Sequence, residues 1–339
     1  MTVAAAEPKK YTKADFQTDQ EVRWCPGCGD YAILAAALQA FAGLGVAREK
    51  FVMVSGIGCS SRFPYYVNTY GFHTIHGRAP AVATGVKLAN PELQVWVVTG
   101  DGDGMSIGGN HLMHALRRNL DIKILMFNNR IYGLTKGQYS PTSELGKVTK
   151  STPFGSVDQP VNPVSFALAS EATFVARTAD IYIPHLQEVL RRAAAHKGVC
   201  FVEILQNCVI FNDGAFKDIT DRTSRDDQQL LLEHGKPMIF GKGKDKGLRL
   251  KEVGVEVVQL GKDGARPDDL LVHDEHRDDQ TLAYLLSRLE HPTMMGIFRD
   301  VERPSFDQRA HGQIADARKK YGPGNLEALV KGKETWTVK

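Results

Sequence analysis

Gly100-Asp101-Gly102-Asp103-Gly104 alternates glycine with carboxylate, pairing an unhindered backbone with the hard oxygen donors that a phosphorylated ligand and its metal ion require. The run follows the apolar segment Val95-Trp96-Val97-Val98 and leads through Ser106 into a helical pattern from Ile107 to Leu116. A second strand pattern, Ile122-Lys123-Ile124-Leu125-Met126-Phe127, then closes on Asn128-Asn129. The glycines allow close backbone approach, and a helix opening near Ser106 turns free N–H groups and a positive dipole end toward a diphosphate. Asp101 and the amide oxygen of Asn129 are donors for a Mg2+ ion bridging two phosphates, with a backbone carbonyl near Ile131 and a water completing the octahedron. Strand, glycine turn, helix and strand in this order put both ends of the motif on one edge of a parallel sheet, where ligands bind.

Two other readings fail on spacing. A dinucleotide fingerprint needs a glycine where Met105 stands, and a calcium loop starting at Asp101 needs an oxygen donor at Met105, a glycine at Ser106 and a glutamate at Leu112. A bare glycine turn explains the glycines but not two carboxylates with paired asparagines beyond them. The run resembles the thiamine diphosphate motif, in which GDG is followed by a helix, a strand and NN.

Four cysteines form a second chemical set. Cys25 and Cys28 make a CxxC, Cys59 follows its own glycine turn Gly56-Ile57-Gly58, and Cys208 stands just past an apolar strand pattern. Loops at parallel strand ends converge, so thiolates from three distant segments can meet at one centre. Cys200, between Val199 and Phe201, reads as a small buried hydrophobe. A thioredoxin-type pair normally follows a strand, and this CxxC precedes every strand pattern. Structural zinc and a 4Fe-4S cluster both take four thiolates, and ligand type alone leaves the two open.

The elements that position these groups alternate. A helix is expected from Asp30 through Leu44, strands at 51–54, 94–99, 122–127, 173–176 and 199–205, and helices at 163–171 and 183–196. That alternation predicts an α/β fold, a mostly parallel sheet with helices on both faces. Residues 1–22 read as a polar arm, 23–212 as the domain holding both sites, and 213–339 as a C-terminal extension serving as an interface. In that extension 217–227 is a solvated charged face, 238–260 two strands, 281–289 a helix and 294–299 a strand. The 339 residues, 42% hydrophobic and 24% charged, suffice for a full core, and a formal charge of +3 gives no argument for nucleic acid. No window reaches membrane-span length and the N-terminus has no apolar run long enough for a signal peptide, so a cytoplasmic location is expected and disulfides are not.

Five motifs in order, Cys25-Pro26-Gly27-Cys28-Gly29, Gly56-Ile57-Gly58-Cys59-Ser60, His73-Thr74-Ile75-His76-Gly77-Arg78, Gly100-Asp101-Gly102-Asp103 and Tyr132-Gly133-Leu134-Thr135-Lys136-Gly137-Gln138, resemble the beta subunit of 2-oxoacid:ferredoxin oxidoreductases, the 2-oxoglutarate type most of all. The resemblance covers residues 20 to 212 and implies the thiamine diphosphate-binding, pyrophosphate-domain fold. It implies that Cys25, Cys28, Cys59 and Cys208 hold one 4Fe-4S cluster and that Asp101, Asn129 and the carbonyl of Ile131 hold Mg2+. Ile57, Gly58, Cys59, Ser60, His76, Gly77, Arg78, Ala79, Gly102, Asp103, Gly133 and Leu134 would line thiamine diphosphate. Many relatives carry Cys-Pro-Thr where this chain has Cys208-Val209-Ile210, which leaves the ligand and alters the loop after it.

The implied activity is coenzyme A-dependent, reversible oxidative decarboxylation of 2-oxoglutarate to succinyl-CoA and CO2, with electrons passing through the cluster to ferredoxin. The glutamate that activates thiamine has no candidate domain here, and in the resembled family an alpha subunit supplies it, so a heterodimer or dimer of heterodimers is expected. Arg62 and Lys136 are the candidate cations for a substrate carboxylate, with a guanidinium suited to bidentate binding. Arg62 pairing with a partner's acid or tuning the cluster competes with that role. His73 and His76 read as phosphate or substrate hydrogen-bonders rather than a metal pair, with a plain structural role equally open for His73, and His111 and His114 as core or interface residues. Other readings stay open: pyruvate or broad 2-oxoacid specificity, a non-oxidative thiamine decarboxylase or carboligase with structural zinc, and a non-catalytic nucleotide diphosphate binder.

Overall fold

A computed structural model describes residues 10–262, 265–336 and 338, so the first nine residues of the expected polar arm lie outside the described residues. Among the described residues, eleven strands form two sheets. The first six are β1 (Phe51–Ser55), β2 (Tyr70–His73), β3 (Gln94–Gly100), β4 (Ile122–Asn128), β5 (Phe174–Ala179) and β6 (Cys200–Leu205). They are followed by β7 (Gln229–Leu232), β8 (Ile239–Phe240), β9 (Lys246–Lys251), β10 (Gly254–Gln259) and β11 (Thr293–Asp300). Eight strands run in the order β2-β1-β3-β4-β6-β5-β11-β7, every neighbouring pair parallel except β11 against β5. The mostly parallel α/β sheet read from the sequence is therefore present.

Its central strands are buried on both faces, which is why they read as continuous apolar runs rather than as alternating ones. Phe51 and Met53 of β1 with Trp96 and Val98 of β3 pack on one face, with the helices Asp30–Gly43 and Ile183–Ala195. Val52, Val54, Val95 and Val97 point the other way, toward the helices Ala79–Ala89, Gly109–Arg117 and Pro163–Ala169. Cys200 is fully buried in the first layer, as expected of a small hydrophobe.

Three local readings change. The helix after β3 starts at Asp101, not near Ser106: Gly100 caps Asp101–Met105, the chain breaks at Ser106, and a second helix runs Gly109–Arg117. Glycine's poor helix propensity argued for a turn here, but the tertiary fit overrides it, because a Cβ at Gly104 would sit 3.1 Å from Thr99 and 3.2 Å from Met126. The 238–260 region is a three-stranded antiparallel sheet, β10-β9-β8, instead of two strands. Beyond residue 212 the chain also returns to the main sheet, with β11 and β7 extending it past β5. Near the other terminus, Phe16 is fully buried against Phe41 and Phe51.

Candidate active site

The carboxyl ends of β1, β3, β4 and β6 open on one edge of the sheet, and the segments leaving them carry the glycine run, Asn129, Cys59 and Cys208, which the CxxC ahead of the helix Asp30–Gly43 joins. One cavity of about 180 Å³ lies over the glycine run, lined among others by Asp101, Gly102, Asp103, Asn129, Ile131 and Tyr132. A second, of about 230 Å³, is lined by Cys25, Cys28, Cys59 and Cys208. Cys59, Asn129, Gly133 and Leu134 line both, so the two cavities share a wall.

In the first cavity the two aspartates have different tasks. Asp101 is buried, and one carboxylate oxygen accepts from the Ser140 hydroxyl (2.5 Å) and the Thr142 hydroxyl (2.6 Å). Burial pushes its carboxyl above the usual range, and those hydroxyls with the Gly102 amide only partly oppose the push. Its hydrogen-bond partners are hydroxyls and backbone amides, so none supplies a positive charge. Asp103, equally buried, spends both oxygens inside the protein: it accepts from the Ile57 amide (3.0 Å), the Gly77 amide (2.7 Å), His76 Nδ1 (2.6 Å) and the Thr99 hydroxyl (2.6 Å). It is a strut between the loop after β1 and the 76–77 turn. Gly56 is required beside it, since a Cβ there would lie 1.9 Å from Asp103 Oδ2.

The paired asparagines also divide. Asn128 is buried, donating to Glu203 (2.7 Å) and accepting from the Arg130 amide (3.1 Å). Asn129 faces the cavity, with its Oδ1 accepting from the Ile131 amide at 3.2 Å and its amide group donating to Gln206 Oε1 at 2.8 Å. Of the residues expected around a diphosphate, Ile57, Gly58, Cys59, Ser60, His76, Gly102, Asp103, Gly133 and Leu134 line this cavity. Gly77, Arg78 and Ala79 stand behind it: Gly77 in the left-handed region, Arg78 donating to the His76 and Ile107 carbonyls, and Ala79 opening the helix Ala79–Ala89.

In the second cavity, the CxxC is shaped by its own turn. Pro26 and Gly27 (φ +83°) occupy the central positions and the Cys28 amide donates to the Cys25 carbonyl at 3.0 Å, the arrangement of a type II turn. Trp24 ties this loop to the next cysteine by donating to the Cys59 carbonyl at 2.7 Å. Gly133 completes the floor, since a Cβ there would sit 3.5 Å from Cys208 Sγ and 3.7 Å from Cys59 Sγ. Burial, then the Asp30 carboxylate, pushes the Cys28 thiol well above its ordinary range, and the same two causes lift Cys59 to about 12. Val209, in the loop that departs from the resembled family, lies 3.7 Å from where a Cβ on Gly27 would be.

Arg62 and Lys136 both line the cysteine cavity, and neither lines the Asp101 cavity. Arg62 also borders a wider cleft of about 400 Å³ with Arg23 and His73, and donates to the Arg23 carbonyl at 3.1 Å. His111 and His114 are half-buried on the helix Gly109–Arg117.

Sequence reasoning missed several contributors. Ser140 and Thr142 lie well past Asn129 and reach Asp101 only because the 132–142 loop folds back. Gln206 links the two sets, accepting from Asn129 and donating to Cys28 Sγ at 3.3 Å. Asp30, read only as a helix start, is buried, lines the Asp101 cavity with one oxygen lacking a hydrogen-bond partner, and is raised to about 7 by burial and by Asp180. Tyr132 lies against Gly102 and donates to its carbonyl at 3.0 Å, so a Cβ at Gly102 would be 2.3 Å from the ring.

Residues 56–204 match the family described as thiamine pyrophosphate enzyme, C-terminal TPP binding domain, the stretch that supplies the lining of the Asp101 cavity apart from Asp30. Over 330 residues the chain is 54% identical to the 2-oxoglutarate oxidoreductase subunit KorB of Mycobacterium tuberculosis, covering 96% of this chain and 88% of that protein. It is 50% identical over 200 residues to 2-oxoacid:ferredoxin oxidoreductase 1, subunit beta, of Aeropyrum pernix, covering 59% of this chain and 63% of that one. Among solved structures, 2-oxoglutarate:ferredoxin oxidoreductase from Magnetococcus marinus, with 2-oxoglutarate, coenzyme A and succinyl-CoA bound, superposes with a TM-score of 0.76 at 32% identity, covering 97% of this chain and 98% of that one. A glycine-carboxylate cavity sharing a wall with four cysteines, and near-full-length identity on this scale, place the chain among the beta subunits of the 2-oxoacid:ferredoxin oxidoreductases.

Proposed function

We propose that the chain acts on 2-oxoglutarate, as the beta subunit of an enzyme that oxidatively decarboxylates it with coenzyme A and passes the electrons to ferredoxin. The observation that carries this reading is the wall shared by the two cavities, Cys59, Asn129, Gly133 and Leu134. When bound, thiamine diphosphate supplies the electron sink for decarboxylation and a 4Fe-4S cluster accepts electrons singly.

The residues present fit these groups. Asp101 is a buried carboxylate with no cationic hydrogen-bond partner, and with Asn129 Oδ1 and the Ile131 carbonyl it offers the all-oxygen donor set that suits Mg2+. Cys25, Cys28, Cys59 and Cys208 are the ligands for the cluster. Among the described residues, the only set of three or more His, Cys, Asp or Glu side chains close enough to share one ion lies elsewhere in the chain. That spread favours a multi-iron cluster over zinc, whose bonds of about 2.3 Å bring four sulfurs to within roughly 3.8 Å of each other. Asp103 holds the Ile57 and Gly77 amides and the His76 ring in place around the diphosphate, and Gln206 orients both a Mg2+ ligand and a cluster ligand.

An alpha subunit would cover the mouth. Edge strand β2 is exposed along its length, and its Tyr70 and Phe72, like Ile57, Ile75 and Leu134, are exposed apolar side chains of the kind a partner buries. The described residues contain no helix long and apolar enough to cross a membrane, which accords with work in the cytoplasm.

The test is iron and acid-labile sulfide content, with a visible spectrum, of the anaerobically purified chain, followed by ferredoxin reduction after mixing with its alpha subunit. About four irons and four sulfides per chain, and reduction dependent on 2-oxoglutarate and coenzyme A, are expected. Stoichiometric zinc without sulfide overturns the electron-transfer reading. Arg62→Ala tests substrate choice: the Michaelis constant for 2-oxoglutarate should rise far more than that for pyruvate, and equal changes remove Arg62 from specificity.

A further inference from the structure

At the far edge of the main sheet, away from both cavities, three side chains gather with donor atoms within 4.8 Å of one another: His234, Glu275 and His276. His234 sits in the turn after β7, and Glu275 and His276 in the loop ahead of the helix Thr281–Ser287. Two backbone hydrogen bonds, Gly235 to His273 (2.8 Å) and His273 to Lys236 (3.0 Å), hold the turn against the loop. The side chains therefore meet on a braced frame.

We propose that these three residues form a binding site for a divalent transition metal of the zinc type. The tautomer of His276 carries the first step. Its Nδ1 lies 2.7 Å from the carbonyl of Asp300, and a carbonyl only accepts, so Nδ1 bears the proton. In the neutral ring, Nε2 then presents its lone pair to Glu275 Oε1 at 3.5 Å. Two acceptors facing each other call for a cation between them. Metal bonds of about 2.0–2.1 Å set tetrahedral donors about 3.4 Å apart. The observed spacing is that of two ligands on one ion.

The surroundings support the same assignment. A metal-binding histidine normally donates its other N–H to a carbonyl or carboxylate, as His276 does. The rings of His234 and His276 are 4.8 Å apart between centroids, an approach that two protonated imidazoles would resist and a shared metal favours. Glu275 is buried and accepts from Arg192 at 2.9 Å, which leaves a second lone pair on that oxygen for an ion. Asp274 Oδ1, 3.7 Å from His234 Nδ1, adds a negative charge, and the Arg192 guanidinium on Glu275 is shared with the Asp300 carboxylate, so negative charge exceeds positive beside the two rings. Two imidazoles with one carboxylate select zinc, nickel or cobalt over magnesium or calcium. Bound there, the ion would staple the short edge strand β7 to the loop before the helix Thr281–Ser287.

The experiment uses the assembled enzyme with its cofactors in place, dialysed against micromolar ZnCl2, with zinc and iron measured together. One zinc per beta chain is expected in the wild type, falling at least about ten-fold in His234→Ala and in His276→Ala at unchanged iron and activity, and retained in the control His311→Ala. No stoichiometric zinc in the wild type, or zinc retained by both variants, overturns the assignment. His234 is exposed, so its variant remains informative if His276→Ala fails to fold.

Discussion

Replacing Asp103 with asparagine removes one charge from a buried side chain that accepts four hydrogen bonds, from Ile57, Gly77, His76 and Thr99. With the amide oxygen in the place of Oδ1, three of them survive on a neutral acceptor. The Thr99 hydroxyl can then accept from the new amide and donate to the Gly100 carbonyl 3.3 Å away. A bond to a charged acceptor contributes about 1.5–3 kcal/mol and a neutral one about 0.5–1.5, so the three weakened bonds lose about 3 kcal/mol in all. For a chain of this length the unfolding entropy is about 0.7 kcal/mol per kelvin, which makes that loss roughly 4 °C in Tm. Asp103→Ala leaves the Ile57 and Gly77 amides and His76 Nδ1 without their acceptor, a cost of at least about 3 kcal/mol and up to the whole stability of an ordinary domain. Thermal unfolding by circular dichroism, read beside the dissociation constant for thiamine diphosphate, is the assay. Asparagine should lower Tm by that amount and weaken cofactor binding, because Ile57, Gly58 and His76 line the cavity, and alanine should not accumulate as folded protein. An asparagine variant equal to the wild type in both measurements, or an alanine variant as stable as the asparagine one, would refute the strut.

Asp101→Asn removes the charged oxygen from the proposed magnesium site, and thiamine diphosphate affinity in the presence of Mg2+ should fall roughly 10- to 100-fold by calorimetry. Stripping the wild type with EDTA should give the same loss, and the variant should respond little to EDTA. Gly133→Ala places a methyl 3.5 and 3.7 Å from two cysteine sulfurs, so iron content should drop while Tm stays within about 2 °C; full iron loading would show that the space between those sulfurs is not used. Asp121 pairs with buried Lys87 (2.8 Å) and Lys123 (2.6 Å); burial raises its pKa, but the two ammonium groups more than reverse that, leaving it depressed. A depressed carboxyl contributes stability that is present above its unfolded pKa near 4 and is lost as pH falls through the folded value, so acid unfolding below about pH 4 should report it. Asp121→Asn leaves two buried ammonium groups with backbone carbonyls and one neutral amide but no counter-charge, and should cost about 3–5 kcal/mol at pH 7 by denaturant titration.

What the sequence made legible follows from how local the determinants are. A turn with proline and glycine between two cysteines needs only four consecutive residues, and the apolar runs of β1, β3, β4 and β6 announce strands covered on both faces. β7 could not be read this way: its four residues, Gln229-Leu230-Leu231-Leu232, follow a charged stretch and become a strand only because β11 lies beside them, some sixty residues further on. The same limit governs the site. Asp101 and Asp103 are two residues apart and chemically identical. One is left with hydroxyl and amide partners while the other is consumed by amides from 57 and 77, and nothing within the glycine run separates them.

The distinction is decided by long-range partners, and it determines which carboxylate is free for a metal. Gln206 follows the same logic: it stands beside Cys208 with no motif of its own, yet β4 and β6 run in parallel register with Asn128 opposite Leu205, which carries Asn129 and Gln206 past the sheet edge together. Their side chains then meet at 2.8 Å, and the remaining Gln206 donor reaches Cys28. Adjacent parallel strands thus bring a candidate magnesium ligand and a candidate cluster ligand onto one amide, so Gln206→Leu, which keeps the bulk and removes both bonds, should disturb the two sites at once, whereas Thr142→Val, acting through Asp101 and Asn128, should disturb only the first.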